Sequence, residues 1–140
     1  LSLFEIILDN IFSLKNKVIV VTGACGLLGR SHSEAIAKAG GIPIILDLNK
    51  EKAEELAENI SQKFSVDASG YSVDITSEQE VMESSKALIH KYTKIDGLVN
   101  NAANNPKVES KEGKNFSRLE NFPLRMWEED LAVGLTGAFS

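Results

Sequence analysis

The sequence predicts an α/β fold, a doubly wound parallel sheet with helices on both faces. Three observations carry that prediction. Short apolar runs alternate with amphipathic helical stretches in the order β-α-β-α-β-α-β, joined by short connections, the rhythm of a parallel sheet. The first run, Val18-Ile19-Val20-Val21 followed by Thr22, opens with four β-branched residues, as expected of a strand buried on both faces. Three glycines then recur at a spacing of three, at positions 23, 26 and 29, between that strand and a helical pattern.

Each element follows from its own residues. Residues 1–13 form an extension ahead of the domain, which occupies residues 14–140. In the extension Phe4, Ile7, Leu8 and Ile11 stand at helical spacing. They suggest a short amphipathic helix that packs on its own domain, or alternatively meets a partner. Val18–Thr22 is the first strand. Leu28 to Ala39 is the first helix, with Leu28, Ala35, Ile36 and Ala39 as its inward positions, and Gly40-Gly41 ends it. Ile42–Leu46 is the second strand, closed by Asp47. Asn49 is a natural N-cap for the second helix, where Ala53, Leu56, Ala57, Ile60 and Phe64 make a single apolar stripe.

Gly70–Val73 is the third strand, closed by Asp74. Thr76 with Gln79, or Ser77 with Glu80, makes a capping box for a helix that buries Val81, Leu88, Ile89 and Tyr92. Gly97–Asn100 is the fourth strand. Asn104–Asn121 is polar, carries Pro106 and Gly113, and reads as a long surface loop, of a length that is usually functional or mobile. Leu124–Ser140 is a further helix with no C-terminal cap. The fold is therefore expected to be truncated after the fourth strand and the start of the next helix.

Bulk composition narrows the function classes. The chain has 140 residues, 43% hydrophobic and 25% charged, enough for one domain with a core of its own. A net charge of −5 without any basic block argues against a nucleic-acid or anionic-membrane surface. No apolar run approaches the ~18 residues of a membrane span. Leu1–Phe12 carries Glu5 and Asp9 and lacks the positive region of a signal peptide. The single cysteine cannot form an internal disulfide, which fits a reducing, cytoplasmic setting. His32, at a core edge, and His90, facing solvent, are not paired by spacing, so no metal site is expected.

In an open parallel sheet, ligands sit at the carboxyl ends of the strands. Thr22–Gly29, Asp47, Asp74 and Asn100 all fall there. Gly23 permits a tight turn, Gly26 lets a diphosphate approach the backbone, and Gly29 lets the helix pack close to the strand. Cys25, Leu27 and Leu28 complete the turn and the helix N-terminus that would hold the phosphate. A thiol pKa can fall at a helix N-terminus; the alternative role for Cys25 is a small filler of the turn, and alkylation there is expected to block binding. Asp47 lies 18 residues after Gly29, near the expected place of a ribose-binding acid about 20 residues on. A carboxylate there accepts from the ribose hydroxyls and repels a 2′-phosphate, which favours NAD over NADP. Arg30 argues the other way, and a cap for the next helix is the alternative role for Asp47. Asp74 would accept from the adenine amino group, with Ile75 against the ring, or would cap its helix. Asn100-Asn101-Ala102-Ala103 would tie neighbouring strands and leave small residues beside a ribose.

Thr22-Gly23 with Gly29, Asp74 after the third strand, and Asp96-Gly97-Leu98-Val99-Asn100-Asn101-Ala102-Ala103 resemble the short-chain dehydrogenase/reductase family. Trp127 through Phe139 is similar to the family's next helix. The resemblance runs from about Leu14 to Ser140. It implies a Rossmann-like fold and hydride transfer between a nicotinamide cofactor and a hydroxyl or carbonyl of a small-molecule substrate, in a homo-oligomeric parent. It further implies that Gly23, Gly29, Asp47, Asp74 and Asn100 contact or frame the dinucleotide. Asn101, Ala102 and Ala103 would line its nicotinamide-ribose side.

Three departures stand out. The middle glycine is Gly26, where the family's common short form would have it at Leu27. The spacing here is that of the extended branch, which includes nucleotide-sugar epimerases. The family's catalytic Asn position, in the context Val133-x-Leu135, is Gly134. The family's Ser and Tyr-x-x-x-Lys come later: Tyr71 is followed four residues on by Ile75, and Tyr92 by Asp96. No catalytic residue is therefore assigned within this chain. The expectation is the NAD(P)-binding portion of a dehydrogenase. The alternatives are a non-catalytic dinucleotide-binding module or a fragment of an extended-type epimerase or dehydratase.

Overall fold

A computed structural model describes residues 11–104 and 122–140. The amphipathic pattern in residues 1–10 and nearly all of the polar loop, residues 105–121, lie outside the described residues. The described elements are β1 (Val18–Thr22), α1 (Leu27–Lys38), β2 (Ile42–Asp47), α2 (Lys50–Phe64), β3 (Ser69–Ser72), α3 (Glu78–Tyr92), β4 (Gly97–Val99) and α4 (Leu124–Leu131). A π-helical segment (Ala132–Thr136) and a short α5 (Gly137–Phe139) follow α4. Among the described residues no helix is long and apolar enough to cross a membrane.

The strands form one sheet in the order β3-β2-β1-β4, and every pairing is parallel. The chain winds outward from β1 through β2 to β3, then returns to the other side of β1 for β4. The crevice above β1 and β4 is thus the point where the winding direction switches, the place such sheets bind ligands.

Alternation along the strands sends side chains to both faces. Val21 and Ile45 join Ile36 and Ala37 of α1 and Ala53, Leu56, Ala57 and Ile60 of α2. Val18, Val20, Ile44 and Leu46 join Val73 and Leu88 on the opposite face, beside α3. Both faces of β1 and β2 are therefore covered, which is why their sequences are continuously apolar. At the far end of β1, the Asp96 carboxylate accepts from the Val18 N–H (2.9 Å) and pairs with Lys94 (3.0 Å) and Lys17 (3.2 Å). These partners, the backbone N–H first, hold its pKa down to about 2.

Several sequence expectations need correction. The inward face of α1 is Gly29, Ser33, Ile36 and Ala37; Leu28 is 63% exposed and Ala35 is exposed as well. Small residues face the sheet because the helix starts almost in contact with β1. Ser33 meets its own needs by donating to the Gly29 carbonyl at 2.8 Å. In α3, Leu88 is buried and Val81 and Tyr92 are partly covered, but Ile89 is 50% exposed, one helical step off the inward line. His32 is exposed, away from the core. The third strand runs one residue earlier, and Val73 still extends the ladder by donating to Asp47 O at 3.0 Å. The fourth ends at Val99. The capping box forms by half. Ser77 Oγ accepts from Glu80 N (3.3 Å), while the Glu80 carboxylate reaches past Ser77 to Asp74 N (2.8 Å). The last helix is continuous in position but widens into the π segment around Gly134.

Candidate functional site

The carboxyl ends of the strands open onto a cleft of about 710 Å³, the size of a pocket for a small molecule or cofactor. Gly23, Cys25, Gly26, Leu27, Leu28, Asp47, Asp74, Ile75, Asn101, Ala102 and Ala103 all line it. Two of the residues expected there do not. Gly29 is buried beneath the turn. Asn100 turns away: its Nδ2 donates to Ala138 O (3.1 Å), and it borders a separate cavity of about 150 Å³ behind the sheet.

The glycine turn is shaped by close approach. Gly23 has φ +59°, and a Cβ there would lie 2.8 Å from Ala102 Cα. A Cβ on Gly29 would lie 2.5 Å from Gly23 O and 2.6 Å from Ala24 Cα. Gly26 differs. It is the N-cap of α1 with φ −72°, and a Cβ on it would meet only Gly23 O at 3.3 Å. Its lack of a side chain leaves room in the cleft rather than relieving the backbone.

No side chain caps α1, and its first turn holds no acid. By contrast, Asn49 caps α2 through Lys52 N (2.9 Å) and Ser77 caps α3. The first N–H groups of α1 thus remain available where the cleft passes Leu27 and Leu28, with the positive end of the helix dipole behind them. This arrangement fits a diphosphate.

Thr22 organises the β4 side. Its hydroxyl accepts from the N–H groups of Asn101 and Ala102, both at 3.1 Å, and donates to Val99 O at 3.4 Å. Asn101 Nδ2 donates back to Thr22 O (3.0 Å) and Gly23 O (3.1 Å). One amide of the Asn100-Asn101 pair therefore stitches β1 to β4, and Ala102 closes against the turn.

On the β2 side, Asp47 Oδ2 accepts from Cys25 N (2.9 Å) and Oδ1 from Asn49 N (3.3 Å). Asp74 Oδ1 accepts from Thr76 N (2.9 Å) and Thr76 Oγ1 (2.7 Å), so an adenine amino group would have to use Oδ2. Arg30 folds back, with Nε donating to Cys25 O at 3.1 Å. The Cys25 thiol moves opposite to expectation. Burial, followed by the Asp47 carboxylate beside it, pushes its pKa up to about 11, and these outweigh the nearby Arg30 and Lys52 cations.

Sequence reasoning missed Leu48, Asn49, Lys52, Val73, Asn104 and Val133 as lining residues, and Thr22 as the hub. Lys52 had a signal. It stands three residues after the cap Asn49, so the first turn of α2 returns it to the edge where Asp47 sits. Among the described residues no group of three His, Cys, Asp or Glu could hold a metal. Gly134 is exposed, with nothing within 4 Å of a Cβ built on it.

The sequence profile described as short chain dehydrogenase matches residues 17–140. The chain belongs to the short-chain dehydrogenase family. It is similar to the 3-oxoacyl-acyl-carrier-protein reductase of Aquifex aeolicus, at 36% identity over 126 residues, covering 90% of this chain and 47% of that protein. Among solved structures it is similar to an NAD+-bound xylitol dehydrogenase, with 29% identity and a TM-score of 0.77 over 90% of this chain and 45% of that one. An NADPH-dependent 3-quinuclidinone reductase from Rhodotorula rubra matches with 26% identity and a TM-score of 0.77, over 94% and 46% of the two chains. These short-chain dehydrogenases share the Rossmann-like parallel sheet. The chain spans about half the length of these relatives.

Proposed function

We propose that this chain is the cofactor-binding portion of an oxidoreductase that moves a hydride between a nicotinamide dinucleotide and a hydroxyl or carbonyl of a small-molecule substrate. The observation that carries the proposal is the cleft at the switch point, with an uncapped helix N-terminus on one side and a carboxylate on the other. The turn at Gly23–Leu28 would hold the diphosphate. Asp47 would accept from the ribose hydroxyls, Asp74 and Ile75 would meet the adenine, and Ala102 and Ala103 would leave space for the second ribose. The bound nicotinamide supplies the hydride chemistry, and the acid and base would come from residues outside these 140. A homo-oligomer in the cytoplasm is the setting this reading implies.

NAD is the cofactor we assign. A carboxylate at Asp47 repels a 2′-phosphate, and Arg30, the obvious counter-charge, is turned onto Cys25 O. Lys52 in the cleft works against the preference without removing it. The relatives named above include both an NAD+-bound and an NADPH-dependent protein, so titration must decide. Calorimetry with NAD and NADP on wild type and Asp47→Ala should show NAD preferred, and the preference lost in the variant. Tighter binding of NADP by wild type sinks the Asp47 assignment; binding of neither sinks the dinucleotide reading. Gly134 favours a second reading, a module that binds dinucleotide without turning it over. A panel of alcohols and carbonyls offered to the full-length protein with each cofactor would yield no turnover if that reading holds. Gly26 leaves a third, a fragment of an extended-type epimerase or dehydratase, which a separate C-terminal substrate domain in the full-length protein would reveal.

A further inference from the structure

The backbone donors of the glycine turn can be followed one by one. Ala24 N donates to Leu46 O at 3.1 Å, continuing the β1–β2 ladder one step past its last paired residues, Thr22 and Leu46. Gly26 N donates within the turn to Gly23 O at 3.1 Å. Between them, Cys25 N has left the ladder. Its partner is the side chain of Asp47, 2.9 Å away and 22 residues distant in sequence. The backbone carbonyl of Asp47 is taken by Val73 N at 3.0 Å, and its side chain is what meets Cys25 N.

That carboxylate is itself held. Oδ1 accepts from Asn49 N at 3.3 Å, a local turn of the kind Asp forms readily. Asn49 in turn caps α2 through Lys52 N at 2.9 Å. A chain of hydrogen bonds therefore runs from the first turn of α2 through Asp47 to the backbone of the phosphate turn. We propose that Asp47 is a positioning residue for the phosphate turn in addition to any contact it makes with ribose: through the Cys25 N–H it holds the turn in the shape that leaves the Leu27 and Leu28 N–H groups to a diphosphate. This deepens the dinucleotide-binding reading and rests on it. Recognition of the sugar and presentation of the phosphate site are then coupled through one carboxylate. A ligand that displaces Asp47 also disturbs the turn.

The test separates the two roles with a ligand that has no ribose hydroxyls, 2′,3′-dideoxyadenosine diphosphate. Asp47→Asn and Asp47→Ala lose the same charge, so their comparison tests the lost acceptor with the charge held constant. A preorganising role predicts that Asp47→Asn binds the dideoxy nucleotide about tenfold more tightly than Asp47→Ala. Equal affinities overturn the proposal and leave a ribose contact alone. Backbone amide exchange gives a second measurement that needs no ligand. The Cys25 amide should be protected in wild type and in Asp47→Asn, and exposed in Asp47→Ala, while Ala24 stays protected in all three. An unprotected Cys25 amide in wild type overturns the latch even if Asp47→Ala does not fold. If wild type binds neither this nucleotide nor NAD, the dinucleotide reading fails, and the exchange data still decide the latch.

Discussion

Gly29 and Gly26 stand three residues apart in one motif, yet the structure requires them for different reasons, and alanine substitution should separate those reasons. At Gly29 the added methyl would sit 2.5 Å from Gly23 O, 2.6 Å from Ala24 Cα and 2.8 Å from Ala24 C. All three are backbone atoms, so no rotamer change relieves the contact. Overpacking of this kind costs up to about 3 kcal/mol, and the better helix propensity of alanine returns about 1 kcal/mol. The net loss is about 2 kcal/mol, or roughly 8 °C in Tm for a domain of this size. At Gly26 the methyl meets a single atom at 3.3 Å on an ordinary backbone, so only the weaker N-cap counts, at about 1 kcal/mol or less. Gly26 also lines the cleft, however, where the diphosphate is proposed to lie. Thermal melts and NAD titration on both variants should therefore dissociate. Gly29→Ala lowers Tm, whereas Gly26→Ala melts near wild type and binds NAD about tenfold more weakly, equivalent to about 1.4 kcal/mol. A Gly29→Ala protein that melts with wild type refutes the close-packing argument. A Gly26→Ala protein that binds NAD normally refutes the route assigned to the diphosphate.

Cys25, Asp96 and Gly134 each give a further expected outcome. With its pKa pushed up to about 11, Cys25 should alkylate slowly at neutral pH, and the rate should keep climbing toward pH 11; a plateau near pH 9, the range of an unperturbed thiol, would contradict the burial and Asp47 effects. Asp96 is held at about 2, below its unfolded value near 4. Its contribution to stability is therefore complete above the unfolded pKa and is lost as pH falls through 4 toward 2. Asp96→Asn should flatten that acid limb in denaturation measured across pH, and an unchanged limb would remove Asp96 as its source. Gly134→Ala adds a methyl that meets nothing within 4 Å, so it should raise stability by about 0.5–1 kcal/mol. A destabilised variant would show that the π segment needs glycine there.

Much of the fold was legible because β1 and β2 are buried on both faces and must therefore be apolar throughout. The stripe Ala53, Leu56, Ala57, Ile60 was legible for the same reason, since α2 has one face to bury and buries it on the sheet. The inward side of α1 was not. Ile36 faces inward as expected, but the other two large apolar residues, Leu27 and Leu28, border the cleft, while a glycine and a serine face the sheet. Hydrophobic periodicity ranks residues by what they could bury, and here the decisive quantity was how near two backbones come. The direction of the Cys25 shift was hidden in a similar way. The helix N-terminus is visible in the local sequence, but burial of the thiol is not, and the opposing carboxylate arrives from the end of a different strand. Asn100 and Asn101 are adjacent and identical in type. Only the pleat decides which one reaches Thr22 and which one reaches Ala138.

The glycine turn is held from both neighbours of β1. On the β2 side, Leu46 O and the Asp47 carboxylate take the N–H groups of Ala24 and Cys25. On the β4 side, Asn101 donates to the carbonyls of Thr22 and Gly23, and Ala102 packs against Gly23 too closely for a Cβ. Donors are therefore bound on one side and acceptors on the other, and the turn has little freedom to adjust when a ligand arrives. A phosphate site that is already shaped loses less conformational freedom on binding. This explains why so many polar side chains around the cleft are engaged with the protein itself. Thr22, Asp47 and Asn101 are taken up in building the cleft, and under the proposed reading a dinucleotide would meet mostly backbone N–H groups, small side chains and the open space at Gly26.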